Sequence, residues 1–169
     1  MLKTKYKEGT RKTIMADNLI RGVALIVQNP LGKILILQEY ETKPQYGKIC
    51  GMFSVPMETV ELNESDRCAL IRLAEEELPG VELLLGDITP LIGSYKIDTQ
   101  IWVNLYHAQA QQHDLPNPQS LQSKEVGNHQ WLAPGEALEL WLRRGAREMI
   151  SDFACGKKNV LCEHCCFPN

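Results

Sequence analysis

The residues best able to do chemistry lie between positions 64 and 81, in the stretch ESDRCALIRLAEEELPGV. Seven residues separate Glu64 from Arg72, and Glu75-Glu76-Glu77 follows shortly after. Carboxylates this dense on one short helix repel each other unless something positive sits among them. A divalent cation, which takes oxygen ligands, is the usual partner, with Arg72 orienting the acids. The alternative is a solvated helix face, which a charge run commonly is. At about 100° per residue, positions 73, 76 and 77 share a face and Glu75 points elsewhere. Glu76 and Glu77 are therefore the candidate ligand pair, with Leu73 at the third corner.

Such a helix needs a start, a stop and a surface to lie on. Ser65 or Asp66 can cap its N-terminus, and Pro79-Gly80 stops it. Leu70, Leu73, Ala74 and Leu78 recur at helical spacing and supply an apolar stripe. Upstream, residues 20–28 and 33–39 are β-branched and aliphatic runs separated by Asn29-Pro30-Leu31-Gly32, which predicts strand, turn, strand. Residues 40–50 read as a loop and 51–56 as a short strand. Downstream, 81–85, 88–95 and 99–110 are further strand candidates. In the last of these Ile101, Val103 and Leu105 alternate with Gln100, Asn104 and Tyr106. Residues 111–125 form a long Gln-, Pro- and Ser-rich loop, and 126–132 a final strand. Pro134 opens a helix through Arg144, and Gly145 separates it from a second helical run to Ala154. Strands in series with one helix in the middle and helices at the end predict an α+β layered domain.

The box around Arg72 resembles that of the Nudix hydrolases: glycine, five residues, glutamate, seven residues, Arg-Glu, an aliphatic, one residue, Glu-Glu, one residue, glycine, an aliphatic. Glu64, Arg72, Ala74, Glu76 and Glu77 fall in place. Glu58 stands at the opening glycine, Leu73 at the glutamate after the arginine, and Pro79 at the closing glycine, with Gly80 one late. The likeness extends over roughly residues 18–155. LILQEY (35–40), Ser54-Val55-Pro56-Met57-Glu58 and HQWLAPGEALELWLRRGAREMISD (129–152) are similar to segments of the ADP-ribose pyrophosphatase branch. The resemblance implies an α/β/α sandwich around a mixed sheet, with the box forming a loop-helix-loop. It also implies hydrolysis of a nucleoside diphosphate linked to another moiety, with Mg2+ or Mn2+.

By the same resemblance Glu76 and Glu77 are metal ligands, while Glu64 and Arg72 steady them. Glu125, at the end of the long loop, is the counterpart of a late glutamate acting as base or extra ligand; Asp114 is the alternative. Leu73 removes one of about three carboxylates. Glu58 either obstructs the close approach a glycine allows or carries its own carboxylate to the metal. Tyr40, Tyr46, Phe53 and Trp102 are candidates for a base platform or for the core. His107 and His113 are expected to be solvent-facing or hydrogen-bonded. Two functions remain open: a divergent pyrophosphate hydrolase, and a module that binds a nucleotide or a protein partner without turnover.

At 169 residues the chain is most simply one domain, 18–155, with an N-terminal extension (1–17) and a cysteine-rich tail (156–169). A net charge of −3 gives no basic face for nucleic acid. No apolar run approaches the roughly 20 residues that cross a bilayer. The basic start has no signal-type apolar core, so the cytoplasm is expected. Monomer and homodimer both remain open. Of six cysteines, Cys50 and Cys68 lie in the body, while Cys155, Cys162, Cys165 and Cys166 crowd the end. The Cys162-x-x-Cys165 pair, with His164 inside it, is one half of a zinc pattern, and free thiols are the expected state. Cys166 stands fourth from the end like a prenylation cysteine, but Pro168 and Asn169 fit that signal poorly.

Overall fold

Strand β1 (Ile20–Gln28) is apolar on both faces, and residues 23–27 have no exposed surface at all. A strand buried on both sides must lie at the centre of a covered sheet. The computed structural model describes residues 19–83, 91–116 and 121–165 and places β1 there. One edge of β1 runs parallel to β6 (Ile101–Gln109), in register from Ile20 opposite Ile101 to Gln28 opposite Gln109. Its other edge is shared. β2 (Ile34–Glu39) meets it at Gln28, and β4 (Met57–Thr59) pairs with residues Gly22 to Ala24.

β3 (Phe53–Ser54) and β7 (Val126–Leu132) flank β2, while β5 (Gly93–Asp98) and β8 (Val160–Cys162) extend the sheet beyond β6. The eight strands form a mixed sheet, parallel at β1/β6 and β5/β8 and antiparallel elsewhere.

Alternation along β1 feeds two cores. Val23, Leu25 and Val27 pack with Ala69, Leu70 and Leu73 of helix α1 (Asp66–Glu77). Ala24 and Ile26 pack on the opposite face with Ala137 of α2 (Pro134–Leu138) and Met149 and Ile150 of α3 (Ala146–Ala154). This is the expected α+β sandwich. α1 starts where the sequence suggests: the Ser65 hydroxyl accepts from Cys68 N at 3.2 Å, which makes Ser65 the cap.

Four expectations need correction. Leu73 does not occupy a corner of the acidic face. It is fully buried in the core beneath α1, because the apolar stripe claims it. The helix expected over 134–144 ends at Leu138, since the backbone beyond is used by β3: Phe53 N donates to Trp141 O and Arg143 N to Phe53 O, both at 2.8 Å. The strand expected at 88–95 begins only at Gly93. Of 81–85, Leu83 makes a single bridge to Ala110, while 84–90 lie outside the described residues, as do 1–18, 117–120 and 166–169.

The chain after α3 also returns to the sheet. β8 lies against β5 so closely that a Cβ on Gly93 would stand 2.7 Å from Val160 Cβ, which only glycine allows. Among the described residues no helix is long and apolar enough to cross a membrane.

Candidate functional site

Beside the paired segments of β1 and β4, with the end of α1 and the loop after β2 as further walls, lies a cavity of about 560 Å³. Arg21 from β1, Glu58 from β4, Glu76 and Glu77 from the end of α1, Lys43, Tyr46 and Lys48 from the loop after β2, Glu125 and Arg143 all line it. Five basic side chains (Arg21, Lys43, Lys48, Arg72, Arg143) meet five acidic ones (Glu58, Glu61, Glu76, Glu77, Glu125). Such a mixture suits a ligand that carries both phosphate and cation.

Arg72 ties the box together. Its Nη2 donates to Thr59 O at 2.8 Å and to Glu64 Oε2 at 3.0 Å, and its Nε donates to Glu64 Oε1 at 3.3 Å. Glu64 Oε2 also accepts from Glu61 N at 2.8 Å. These two donors, the guanidinium first, hold the Glu64 carboxyl below the usual range, and the same ion pair keeps Arg72 charged. Arg72 Nη1 lies 3.3 Å from Glu58 Oε2, so Glu58 reaches the cavity already paired.

Glu77 is the exception among these acids. Its Oε2 is shielded from solvent and has no hydrogen-bond partner. Burial, then the negative charges of Glu39 and Glu58, push its carboxyl up to about 8, against the pull of Lys48 and Arg143. The helix end that carries it is fixed by His129 of β7, whose Nε2 lies 3.0 Å from Glu77 O. A carbonyl only accepts, so Nε2 carries the hydrogen, and burial holds the ring neutral.

Behind the cavity Glu39 is 1% exposed and clamped between two cations. Arg143 Nη1 donates to its Oε1 at 3.0 Å. Lys48 Nζ stands 3.0 Å from Oε2 as an ion pair, off the angle of a formed hydrogen bond. Glu125 faces the same lysine, with Oε2 3.4 Å from Lys48 Nζ and Oε1 3.4 Å from Lys43 Nζ.

Glu58, Arg72, Glu76, Glu77 and Glu125 thus line one cavity, with Glu64 supporting Arg72. Asp114 and Glu75 are not among the lining residues. Of the aromatic candidates only Tyr46 lines it. Phe53 packs on the core, Trp102 lies under Lys96 Nζ at 6.0 Å, and Tyr40 crowds Gly127. His107 rests against Phe153, and His113 contributes its carbonyl to Asn29.

Sequence reasoning missed Glu39, Lys48 and Arg143. A glutamate closing the aliphatic run ILILQE was a usable signal, because an acid in a buried strand requires cations nearby. Nothing local marked Lys48 or Arg143.

The profile of the NUDIX domain matches residues 18–153. The chain belongs to the NUDIX domain family. No protein of curated function matches it in sequence. Among solved structures, this Nudix protein is similar to a MutT protein from Methanosarcina mazei Go1, with TM-score 0.60 and 17% identity over 84% of this chain and 97% of that one. It is similar to a C. elegans Ap4A hydrolase, with TM-score 0.56 and 17% identity over 82% and 97%. It is also similar to an ADP-ribose pyrophosphatase from Streptococcus suis 89-1591, with TM-score 0.57 and 11% identity over 84% and 95%. At these identities the likeness is one of fold.

Nudix proteins typically use divalent metals, and the donors here bear on that use. Among the described residues no three His, Cys, Asp or Glu side chains stand together as a ready-made cage. Magnesium does not need one, since it is commonly held by one or two carboxylates, waters and substrate phosphates. The lining carboxylates are hard oxygen donors, and the orphaned Glu77 oxygen lacks the partner a cation would be. The residues fit a divalent ion centred on Glu77.

Proposed function

We propose that the protein is a divalent-metal-dependent hydrolase that cleaves a pyrophosphate bond in a nucleoside diphosphate derivative of the ADP-ribose kind. The carrying observation is the shielded, unpartnered Glu77 Oε2 in a cavity that also presents five basic side chains. Glu77 and Glu76 hold Mg2+ or Mn2+, with Glu58 as the further carboxylate in reach of the cavity. The ion, when bound, supplies Lewis-acid polarisation of phosphate and lowers the pKa of water. Lys48, Lys43 and Arg143 neutralise phosphate charge. Arg72 and Glu64 set the angle of the box loop against α1. Glu125, exposed at the mouth of the cavity, takes the proton of the attacking water. The structural neighbours named for Ap4A and ADP-ribose support a nucleotide-type substrate. The segments resembling the ADP-ribose pyrophosphatase branch favour the second.

A binding module is the second reading. The burial of Leu73 favours it, because the acidic site has lost a carboxylate to the core. Release of mononucleotide from a panel of nucleoside diphosphate derivatives, with magnesium and then manganese, separates the two. Turnover that requires metal supports the hydrolase. Saturable nucleotide binding without release under either metal establishes the module.

A further inference from the structure

The Cys-x-x-Cys of the C-terminal segment plays no part in the cavity, and the fold gives it a specific geometry. Cys162 ends β8, half-buried and opposite Tyr95. Cys165 is 3% exposed and packs into the core shared with Tyr95. Their sulfurs lie 3.5 Å apart. The backbone holds them there from both sides. Val160 N donates to Ile92 O at 3.0 Å, Cys165 N donates to Lys96 O at 3.3 Å, and Cys165 O accepts from Arg144 Nε at 3.1 Å. A disulfide needs the sulfurs about 1.5 Å closer, a movement within reach of a side-chain rotation. Zinc would need more ligands, and among the described residues no group of three stands together.

We propose that Cys162 and Cys165 form a reversible dithiol–disulfide site that reacts with low-molecular-weight disulfides and, when oxidised, clasps the chain after β8 to the edge of the sheet. Cys162, the more exposed sulfur, attacks as its thiolate. It bonds to one sulfur of the small disulfide, whose S–S bond breaks and releases one thiolate. Cys165 then gives its proton to solvent and attacks Cys162 Sγ, expelling the second thiolate. The protein loses two thiols and gains one disulfide, while the small disulfide is reduced to two thiols. Burial raises the Cys165 thiol, which disfavours it as the first attacker, while its place 3.5 Å from Cys162 Sγ gives it the second, intramolecular step.

The test uses the full chain with excess oxidised glutathione, thiol alkylation and non-reducing peptide mapping. The expected result is a glutathione-free cross-link between Cys162 and Cys165 that dithiothreitol fully reverses, whatever adducts form on the exposed Cys50, Cys68 and Cys155. The oxidised form should melt about 2–5 °C above the reduced form, a modest gain for so small a ring. Cys165→Ser should stop with a glutathione on Cys162, and Cys162→Ser should leave Cys165 as a free thiol. The proposal is overturned by Cys162 and Cys165 persisting as thiols, by a cross-link through Cys155 or Cys166, or by a lasting glutathione adduct on wild-type Cys162. Purified protein carrying stoichiometric zinc that must be chelated before the thiols react would also overturn it. A cross-link with an unchanged melting temperature would refute the clasp.

Discussion

Glu77 and Leu73 sit one helical turn apart on α1 and have opposite fates. Glu77 keeps its carboxyl in a place that resists ionisation, with a folded value of about 8 against the ordinary 4.5. Between those values the unfolded chain has released the proton and the fold has not. The contribution of Glu77 to stability is therefore fullest below about 4.5 and is lost as pH rises through about 8. For metal-free protein the slope in this window should approach about 1.4 kcal/mol per pH unit. Glu77→Gln, neutral throughout, should flatten it, as denaturant midpoints measured across the window will show. A slope unchanged by the substitution would mean that another group carries it.

Leu73 has no exposed surface and touches the sheet core. Leu73→Glu should therefore destabilise by several kcal/mol, because it places a charge among aliphatic side chains with no partner. It should not restore a ligand. A stable variant with higher metal-dependent activity would show that the helix can turn that position toward the cavity.

At the level of elements, the box is a loop latched to a helix by one guanidinium. Arg72 bonds Thr59 O and both oxygens of Glu64 and pairs with Glu58. Arg72→Lys keeps the charge and loses the fork. It should cost about 1–2 kcal/mol, since the pairs are partly exposed. Amides 59–64 should exchange faster, while β1 stays protected; equal exchange across that loop would deny the latch.

Elements were readable wherever one periodicity governed them. β1 and β7 fall where their runs predict, and Ser65 caps α1 as a serine before an amphipathic helix should. The reading failed where tertiary pairing took precedence. Residues 139–144 have helix-forming composition, yet Trp141 O and Arg143 N bond the backbone of Phe53 and Arg144 N donates to Gly47 O. β8 is three residues long and gains its place from the glycine opposite it, which no local pattern announces. Of the cavity, the acids of the box were legible through their spacing. Of the cations that face them, Lys43 and Lys48 arrive from the loop after β2 and Arg143 from the segment after α2, and only the fold brings these to the box.

At the scale of the whole molecule, a doubly covered β1 separates two cores, and the cavity opens beside the first residues of β1, where β4 pairs with it. There Glu77, at the end of α1, shares the cavity with five basic side chains. The central claim is that this acid is the anchor of a divalent metal. Calorimetric titration of Mn2+ near neutral pH, repeated in buffers of different ionisation enthalpy, tests it most directly. Because Glu77 is protonated there, each bound ion should release close to one proton, and Glu77→Gln should weaken binding at least tenfold and abolish that release. Unchanged affinity in Glu77→Gln, or binding without proton release in the wild type, would contradict the claim.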